Sequence, residues 1–334
     1  MAIETQHMQE LSVIGNALNQ SQSVVILEHE KPDGDCIGSG LALSMFLSSM
    51  DKKVALLSPD PHPVVYDFLP GQWLYTVSSL FDQGSFQDAI TVFLDCASPE
   101  RTGQALSFAM GRPWINIDHH VSNLQFGDIN LVDSDASAAG ELVFFLLKAM
   151  NAQITKDMAT CLYVAIATDT GGFRYQNTTP RALRVAAELV GLGASPSEIA
   201  GHLYEARTLS SIVLLCTVLK TLAFHHEGKV ALVEVTDGMV EEAGSSFEEA
   251  EGIIDYPRSI SGVEVSLCFK EDSSNEGVRI SMRSKSKIDV SSLAGLFGGG
   301  GHPRAAGAFV QGSMEEVKSK VLKALDDPVL WTDS

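Results

Sequence analysis

The sequence predicts an α/β protein with two domains: a first domain built on a mostly parallel β-sheet flanked by helices, a helical connector, and a smaller second α/β domain. The chain has 334 residues, and a domain usually holds about 100 to 200. As far as about residue 225, short apolar runs alternate with helical patterns, which is typical of a parallel sheet covered on both faces. Beyond that point, strand patterns are joined by turns rich in Gly, Ser and Asn, which indicates a different kind of unit.

The elements of the first domain follow from the spacing of apolar residues. Leu11, Ile14 and Leu18 share one face of a helical pattern and predict an opening helix. Short apolar runs predict buried strands at residues 24–27, 54–57, 90–94 and 114–117. Longer patterns with a helical period predict helices at residues 38–50, 138–150, 157–168, 181–192 and 209–224.

The rest of the chain predicts a smaller sheet with two helices. The predicted strands cover residues 230–235, 263–269 and 278–282, and the predicted helices cover residues 290–297 and 314–325. We therefore expect a first domain over residues 1–195, a helical connector over residues 196–224 and a second domain over residues 225–334.

Composition and charge limit the classes of function. The formal net charge is −19, whereas proteins that bind duplex DNA or membrane surfaces non-specifically need a basic surface. The five cysteines are an odd number without a C-x-x-C pair, and the N-terminus has neither the basic nor the apolar region of a signal peptide. We therefore expect a cytoplasmic protein that binds neither duplex DNA nor a membrane.

Four clusters of polar residues follow apolar runs or helical patterns. In chain order they comprise His29 with Asp33 and Asp35, Asp95 with Arg101, Asp118 with His119 and His120, and Asp169. The first three follow predicted strands, and the fourth ends a helical pattern. Because ligands of open parallel sheets bind at the carboxyl ends of the strands, we expect the clusters to converge on one site.

The residue types in these clusters indicate divalent metal ions. Carboxylates and imidazoles suit Mn²⁺, Mg²⁺ and similar ions better than a structural zinc, and we interpret Cys36 and Cys96 as packing residues. Four carboxylates in one site repel one another, and two divalent ions would balance their charge. Such a pair of ions is the usual device for attacking a phosphate ester. The candidate ligands are His29, Asp33, Asp35, Asp95, His119 and Asp169.

Each cluster taken alone also has a purely structural interpretation. Asp33 and Asp35 fit turn chemistry, and Asp169 fits a turn that ends a helix. Asp95 fits a cap, and the third cluster fits a surface loop. The joint occurrence of all four favours a site, because a structural explanation has to account for each one separately.

A fifth cluster, near the C-terminus, has the features of an anion-binding surface. Four successive glycines begin at Gly298, and without Cβ atoms their amides can approach an anion closely. Basic residues are concentrated nearby, and alternate positions of the strand predicted at residues 278–282 share one face. A flexible loop beside a solvated basic strand is the structural alternative. The candidate substrate-binding residues are Arg279, Ser281, Arg283, Gly299, Gly300, Gly301, His302 and Arg304.

At these motifs the sequence resembles a known family. The pattern H-x-x-P-D-x-D-x-x-G-S is met at every position from His29 to Ser39, and the Asp-His-His and glycine runs match the family's other signatures. Over nearly its whole length the chain is similar to the DHH/DHHA1 phosphoesterases of the small oligoribonuclease/pAp-phosphatase (nanoRNase) type. The resemblance implies a hydrolase for short oligonucleotides or for 3′-phosphoadenosine 5′-phosphate (pAp), with the substrate held between the two domains.

The resemblance also implies a two-metal mechanism in which a hydroxide attacks the phosphorus. One ion, Mn²⁺ with Mg²⁺ or Co²⁺ as alternatives, would be held by His29, Asp33 and Asp95. The second would be held by Asp35, Asp95, His119 and Asp169.

Further roles come from the same resemblance. His120 would face the reacting phosphate, Asp118 would orient a neighbouring histidine, and Arg101 would support the phosphate or the second cluster. The glycine run and the basic strand would bind the terminal phosphate or base of a nucleotide or short single-stranded oligonucleotide. A homodimer is the expected form of any self-association.

Other functions stay open from the sequence. The alternatives with related chemistry are a phosphodiesterase for cyclic or linear dinucleotides, a RecJ-like single-strand exonuclease and a family II inorganic pyrophosphatase. The chain leaves no room for the extra nucleic-acid-binding domain usual in RecJ-like enzymes, and it lacks the Ser-Arg-Lys-Lys-Gln motif of the pyrophosphatases. From another class, an inactive nucleotide-binding regulator predicts a broken ligand set, and all six candidate ligands are intact.

Overall fold

The computed structural model describes residues 7–331 except 83, 85, 87, 110, 251 and 287, and the side chains of residues 111, 112, 302, 328 and 329 lie outside that description. The chain divides into two compact units, Met1–Ala206 and Arg207–Ser334. Each unit has its own six-stranded sheet and its own hydrophobic core. None of the helices within the described residues combines the length and the apolar character needed to cross a membrane.

The sheet of the first unit is parallel throughout. Its strands are β1 (Ser23–Leu27), β2 (Lys53–Ser58), β3 (Tyr75–Val77), β4 (Ile90–Leu94), β5 (Gly111–Asp118) and β6 (Ile129–Val132). They lie in the order β3-β2-β1-β4-β5-β6, so the order changes direction between β1 and β4. The four predicted strands are confirmed, and β3 and β6 are additional.

The α-helices of the first unit pack on one face of this sheet. They are α1 (Met8–Gln20), α2 (Gly34–Ser49), α3 (Ala139–Ala149), α4 (Lys156–Asp169), α5 (Pro180–Gly191) and α6 (Pro196–Tyr204). Val92 of β4 is buried against the helices, whereas the next residue, Phe93, is buried on the opposite face with Phe81 and Phe108. That second face is covered by loops and by the 3-10 helix Pro99–Phe108 instead of α-helices. The predicted α/β class is confirmed, but the expectation of helices on both faces needs this correction.

Helix α2 begins four residues before its predicted start at residue 38. Asp33 caps it, because its Oδ1 accepts the N–H groups of Asp35 and Cys36 at 3.0 and 3.1 Å. The helix also packs closely on α4, where a Cβ on Gly38 would lie 2.3 Å from the carbonyl oxygen of Cys161. The cap and the close packing fix the position of this buried helix, and Asp35 lies in its first turn.

The second unit has a mixed sheet with helices on both faces. Its strands are β7 (Ala223–His225), β8 (Val230–Val235), β9 (Val265–Asp272), β10 (Gly277–Ser284), β11 (Gly300–His302) and β12 (Ala305–Gln311), in the order β11-β12-β10-β9-β8-β7. Its helices are α7 (Leu209–Leu219), α8 (Asp237–Ala243), α9 (Asp255–Ser259), α10 (Val290–Gly295) and α11 (Met314–Ala324). Helices α10 and α11 pack on one face, and α7 packs on the other.

One expectation about this region differs from the structure. The helix predicted over residues 209–224 ends at Leu219 and is followed by β7. The second half of the glycine run lies in the edge strand β11, and the expected role of the run in ligand binding stays a prediction. Within the predicted connector, α6 packs into the first core through Ile199 and α7 packs into the second unit through Leu214 and Val218. The division at residues 195 and 225 stays a prediction.

Candidate active site

The predicted metal ligands lie at the carboxyl edge of the first sheet. β1 leads into His29, β4 leads into Asp95, and β5 leads into His119. Helices supply two others, because Asp35 lies in the first turn of α2 and Asp169 is the last residue of α4. Since β1 and β4 are the strands at which the sheet order changes direction, this edge is where a parallel sheet binds its ligand.

Asp95 lies at the centre of the cluster and is buried. Its Oδ2 is 3.5 Å from Nε2 of His29. Its Oδ1 is 3.4 Å from Nε2 of His119 and 3.5 Å from Nδ1 of His120. The backbone of Asp95 is left-handed, with φ of 54°, so the chain turns sharply at the end of β4 and directs this side chain between the three imidazoles.

His119 faces two further carboxylates. Its Nε2 lies 3.6 Å from Oδ2 of Asp35 and 3.7 Å from Oδ2 of Asp169. Asp35 is also held by α3, because its Oδ2 accepts the N–H of Ala139 at 2.6 Å and its Oδ1 accepts that of Gly140 at 2.8 Å. These amides form the N-terminus of α3, where the helix dipole favours a carboxylate.

Asp33 differs from the other predicted ligands, because its side chain is 56% exposed. The oxygen that caps α2 lies 3.9 Å from Nε2 of His29. Nδ1 of His29 lies 2.8 Å from the carbonyl oxygen of Glu30. This contact orients the His29 ring with Nε2 towards the carboxylates.

His120 and Asp118 form a hydrogen-bonded pair beside the centre. Nδ1 of His120 donates to Oδ1 of Asp118 at 2.7 Å. The other oxygen of this buried carboxylate accepts a hydrogen bond from Nδ2 of Asn123 at 2.5 Å. The imidazole of His120 is therefore fixed from behind by a carboxylate that is itself fixed.

The pKa values in the cluster reflect many charges in a small buried volume. Burial opposes a charged His29, but the neighbouring Asp95 and Asp33 outweigh it and raise its pKa to about 9. Burial raises the pKa of Asp169 to about 7, although His119 acts against this rise. Burial also acts to raise the pKa of Asp95, yet its histidine neighbours hold it well below the usual value. Without a metal, protons on these groups supply the positive charge that a cation would otherwise bring.

The predicted substrate-binding residues of β10 share one face of the second sheet. Arg279, Ser281 and Arg283 alternate with buried apolar residues, as predicted. The side chain of Arg279 is 45% exposed, and its Nε is 2.7 Å from Oδ2 of Asp272. Its guanidinium also lies 5.7 Å from the ring centroid of Phe309. The strand therefore presents a basic face, although Arg279 is already paired with an acidic residue.

Arg304 has a structural contact in addition to its predicted role. Its Nη1 donates to the carbonyl oxygen of Ile288 at 2.7 Å, which ties it to the segment before α10. The side chain of His302 and all of Lys287, another basic residue of this region, lie outside the described residues.

The glycine run combines a packing requirement with open space. A Cβ on Gly299 would lie 2.1 Å from the carbonyl oxygen of Gly307, so β12 requires a glycine there. Gly300 pairs with Gly307 and Gly301 pairs with Ala306 in the β11–β12 ladder. A Cβ on Gly300 would meet no atom within 4 Å. Packing therefore explains why residue 299 is a glycine, but it does not explain the glycine at position 300.

Comparison with known proteins decides the family. Residues 23–166 match the DHH family N-terminal domain, and residues 227–329 match the DHHA1 domain. The bifunctional oligoribonuclease and PAP phosphatase NrnA of Thermus thermophilus is 34% identical over 97% of this chain and 96% of that protein. The chain belongs to the DHH/DHHA1 family of phosphoesterases.

Further comparisons agree with the DHH/DHHA1 assignment. The Bacillus subtilis protein of the same name is 28% identical over 86% of this chain and 89% of its own length. An exopolyphosphatase-related protein from Bacteroides fragilis superposes with a TM-score of 0.90 at 28% identity and covers 96% of both chains. The predicted resemblance is confirmed.

The donor atoms of this DHH/DHHA1 site fit divalent metal ions. Oδ1 of Asp95 is buried, and the nearest ring nitrogens of His119 and His120 are beyond the usual hydrogen-bond length. Two donors bound to one ion at right angles through bonds of about 2.1 to 2.4 Å lie about 3.0 to 3.4 Å apart. The separations of 3.4 to 3.7 Å around His119 are close to that spacing. A cation would therefore satisfy oxygen atoms that the protein alone leaves poorly paired.

Cys36 is close enough to be considered as a ligand. A donor atom of Cys36 lies within 4.8 Å of donor atoms of His29 and Asp95. Burial, with smaller contributions from nearby carboxylates, raises the pKa of the Cys36 thiol well above its usual value. Because metals bind the thiolate, the burial and the raised pKa favour the interpretation of Cys36 as a packing residue.

Arg101 is the predicted catalytic residue that stands apart from the cluster. Its side chain is exposed, and the described contact with the site is made by its carbonyl oxygen, which accepts the N–H of Glu30 at 2.7 Å. The residue therefore lies beside the loop that carries His29, but its guanidinium is not among the groups that converge on Asp95.

Sequence reasoning missed two asparagines that hold predicted site residues. Asn123 supports Asp118, and Nδ2 of Asn177 donates to the carbonyl oxygen of Asp169 at 3.1 Å. Asparagine is common in loops for many reasons. The sequence alone shows only that one asparagine follows Asp118 by five residues and that the other follows Asp169 by eight.

Proposed function

We propose that this protein hydrolyses phosphoric ester bonds in short single-stranded oligonucleotides and in pAp. The observation that carries the proposal is the convergence of three imidazoles and three carboxylates, with Asp95 at their centre, at the ligand-binding edge of a parallel sheet. This donor set suits two-metal hydrolysis of a phosphate ester. The substrate class is supported by the relatives of 34% and 28% identity, both named as oligoribonuclease and PAP phosphatase.

Two divalent ions fit the donor set, with Mn²⁺ preferred over Mg²⁺ and Co²⁺. We assign one ion to His29, Asp33 and Asp95, and the other to Asp35, Asp95, His119 and Asp169. When bound, such ions neutralise the phosphate and lower the pKa of the attacking water. The bridging role of Asp95 is supported by its two oxygens, one of which faces His29 while the other faces His119.

His120 is assigned to the reacting phosphate and Asp118 to the orientation of His120. Because Nδ1 of His120 donates to Asp118, Nε2 is the ring atom assigned to the substrate. The negative charge of Asp118 stabilises the imidazolium form, in which Nε2 donates a hydrogen bond to a phosphate oxygen. That donor stabilises the charge that develops on the phosphate in the transition state.

The basic face of the second unit is assigned to the rest of the substrate. Arginine side chains and backbone amides suit a terminal phosphate, and the planar guanidinium also suits stacking on a base. The residues assigned to substrate binding are Arg279, Ser281, Arg283, Gly299, Gly300, Gly301, His302 and Arg304. Arg101, in the first unit, is assigned a supporting contact with the phosphate.

A substrate panel tests this proposal. The purified protein is assayed with Mn²⁺ and then with Mg²⁺ on pAp, pApA, longer RNA oligomers, c-di-AMP, tripolyphosphate and pyrophosphate. We expect hydrolysis of pAp and of the shortest oligonucleotides, with rates that fall as the RNA lengthens. Hydrolysis of pyrophosphate or tripolyphosphate alone contradicts the proposal.

Two other outcomes identify the alternatives. Preferential cleavage of c-di-AMP favours a cyclic-dinucleotide phosphodiesterase, and tight binding of nucleotides without turnover favours an inactive regulator. The expected homodimer, the lack of duplex DNA binding and the cytoplasmic location stay predictions.

A further inference from the structure

We propose that the buried ion pair between Glu141 and Arg181 is a positioning device for one of the two metal sites. The inference rests on the proposed function, because it concerns the same metal centre. Neither residue is assigned as a ligand. Both act through residues 133–141, which join β6 to α3 and are named here the β6–α3 segment.

The β6–α3 segment contacts two ligands of the site assigned to Asp35, Asp95, His119 and Asp169. The carbonyl oxygen of Ala136 lies 3.3 Å from Nδ1 of His119 and so fixes the tautomer and direction of that ring. The N–H groups at the start of α3 bind both oxygens of Asp35, at 2.6 and 2.8 Å. The positions of both ligands therefore depend on the path of this segment.

A third contact runs through Asn177. Its Nδ2 donates to the carbonyl oxygen of Ser137 at 3.2 Å and to that of Asp169 at 3.1 Å. It also lies 3.4 Å from Oδ2 of Asp169. Among the described residues, no hydrogen bond joins the segment to His29 or Asp33. The segment therefore supports one metal site and not the other.

Glu141 fixes the shape of the segment. Ala138, at the N-cap of α3, offers no side-chain cap, so the first turn needs another acceptor. The wholly buried Glu141 reaches back instead, and its Oε2 accepts the N–H of Ser137 at 3.2 Å and its hydroxyl at 2.8 Å. This contact closes the turn that directs the α3 amides at Asp35.

Arg181 neutralises this buried carboxylate and holds both ends of the segment. From α5, its Nε donates to Oε1 of Glu141, and its Nη1 lies 3.0 Å from Oδ2 of Asp133. The planar guanidinium thus spans the first and last residues of the segment, which the single ammonium of a lysine cannot do in the same way. Buried ion pairs often add little to fold stability, so a role in positioning accounts better for this one.

The test is Mn²⁺ binding to the metal-free full chain, measured by isothermal titration calorimetry. The variants are Arg181→Lys, which keeps the positive charge but removes the planar guanidinium, and Glu141→Gln, which keeps the size of the side chain but removes its negative charge. The wild type is expected to bind two ions. In each variant we expect one ion to bind about 10- to 100-fold more weakly, the usual effect of removing support behind a ligand, while the affinity of the other ion is kept.

Lys148→Met is the matched control. Lys148 on α3 and Glu188 on α5 join the same two helices through an exposed pair 3.4 Å apart, so general loosening of the helices would affect this variant as well. Equal weakening of both ions, or unchanged binding of both in folded Arg181→Lys and Glu141→Gln, overturns the inference. A wild type that binds no Mn²⁺ contradicts the proposed function itself, and the inference with it.

Discussion

The two units hold their candidate functional residues in opposite ways. In the first unit, buried carboxylates and imidazoles face one another within 3.4 to 3.7 Å at one edge of a sheet. In the second, basic side chains lie along a sheet face, and Arg279 and Arg304 both have structural partners. A buried cluster of carboxylates and imidazoles at the spacing of metal ligands points to a cation, whereas an exposed basic face has many explanations. Substitutions should therefore abolish function in the first unit and reduce it by degrees in the second.

The largest effect is expected at the centre of the buried cluster. Asp95→Asn removes the carboxylate assigned to both ions, so kcat on pAp with Mn²⁺ should fall about a thousandfold, the upper range for loss of one stabilising group. Steady-state kinetics measure this loss, and circular dichroism checks the fold. Turnover close to that of the wild type would contradict the view that the first unit holds the metal-dependent catalytic centre.

The next effect is the pH dependence of metal binding. In the metal-free protein, the pKa of about 9 keeps His29 protonated at neutral pH, so Mn²⁺ must displace that proton. Burial opposes a charged His119 as well, but the neighbouring carboxylates raise its pKa well above the usual value. Mn²⁺ affinity should therefore rise between pH 7 and 9 by at least about tenfold per pH unit, the slope for release of one proton. Below pH 7 the slope should steepen, because Asp169, with its pKa of about 7, also takes up a proton. Calorimetry in buffers of different ionisation enthalpy counts the protons, and a pH-independent affinity contradicts the prediction.

The glycine run separates packing from binding within the second unit. Gly299→Ala should lower the free energy of unfolding by about 1 to 3 kcal/mol, because its Cβ overlaps the β12 backbone. Gly300→Ala, the matched control, should change it by less than about 0.5 kcal/mol. Chemical denaturation measures both variants. A higher KM for pApA in Gly300→Ala alone would indicate that the substrate approaches the backbone there, whereas equal stability losses would contradict the packing argument.

The smallest effect is expected on the basic sheet face. Arg279→Gln removes an exposed charge, so KM for pApA should rise about fivefold, equivalent to the roughly 1 kcal/mol upper range of an exposed ion pair. Hydrolysis of bis(p-nitrophenyl) phosphate should be unchanged, because that substrate lacks the nucleotide portion. Lys318→Gln, on α11 at the opposite face of the same sheet, is the control. Equal effects of Arg279→Gln on both substrates would argue against a substrate-binding face.

The sequence was sufficient to predict four strands of the first sheet and the residues that gather around Asp95. Carboxylates and imidazoles directly follow three of the apolar runs, so their convergence could be predicted once the runs were interpreted as strands of one parallel sheet. Strand β3, with three half-buried residues, lacks such a pattern. Helix α2 starts earlier than predicted because Asp33 caps it. Asp33 was interpreted as a metal ligand, so its second role as a helix cap was missed.

Long-range pairing was out of reach of the sequence. Glu141 and Arg181 are 40 residues apart, and their contact exists because α3 and α5 pack together. Asn177 likewise joins two segments that are distant in the chain. Arg101 shows the opposite limit, because its exposed side chain is not among the groups that converge on Asp95, and its assigned contact with the phosphate stays a prediction.

The left-handed backbone of Asp95 determines how an inert form of the protein is best made for crystallography with an intact nucleotide. Among the side chains without a β-branch, asparagine shares the tolerance of aspartate for positive φ, whereas alanine is strained there. The asparagine variant would keep the chain reversal after β4 while it removes a negative charge, so it is the better choice for trapping an uncleaved complex.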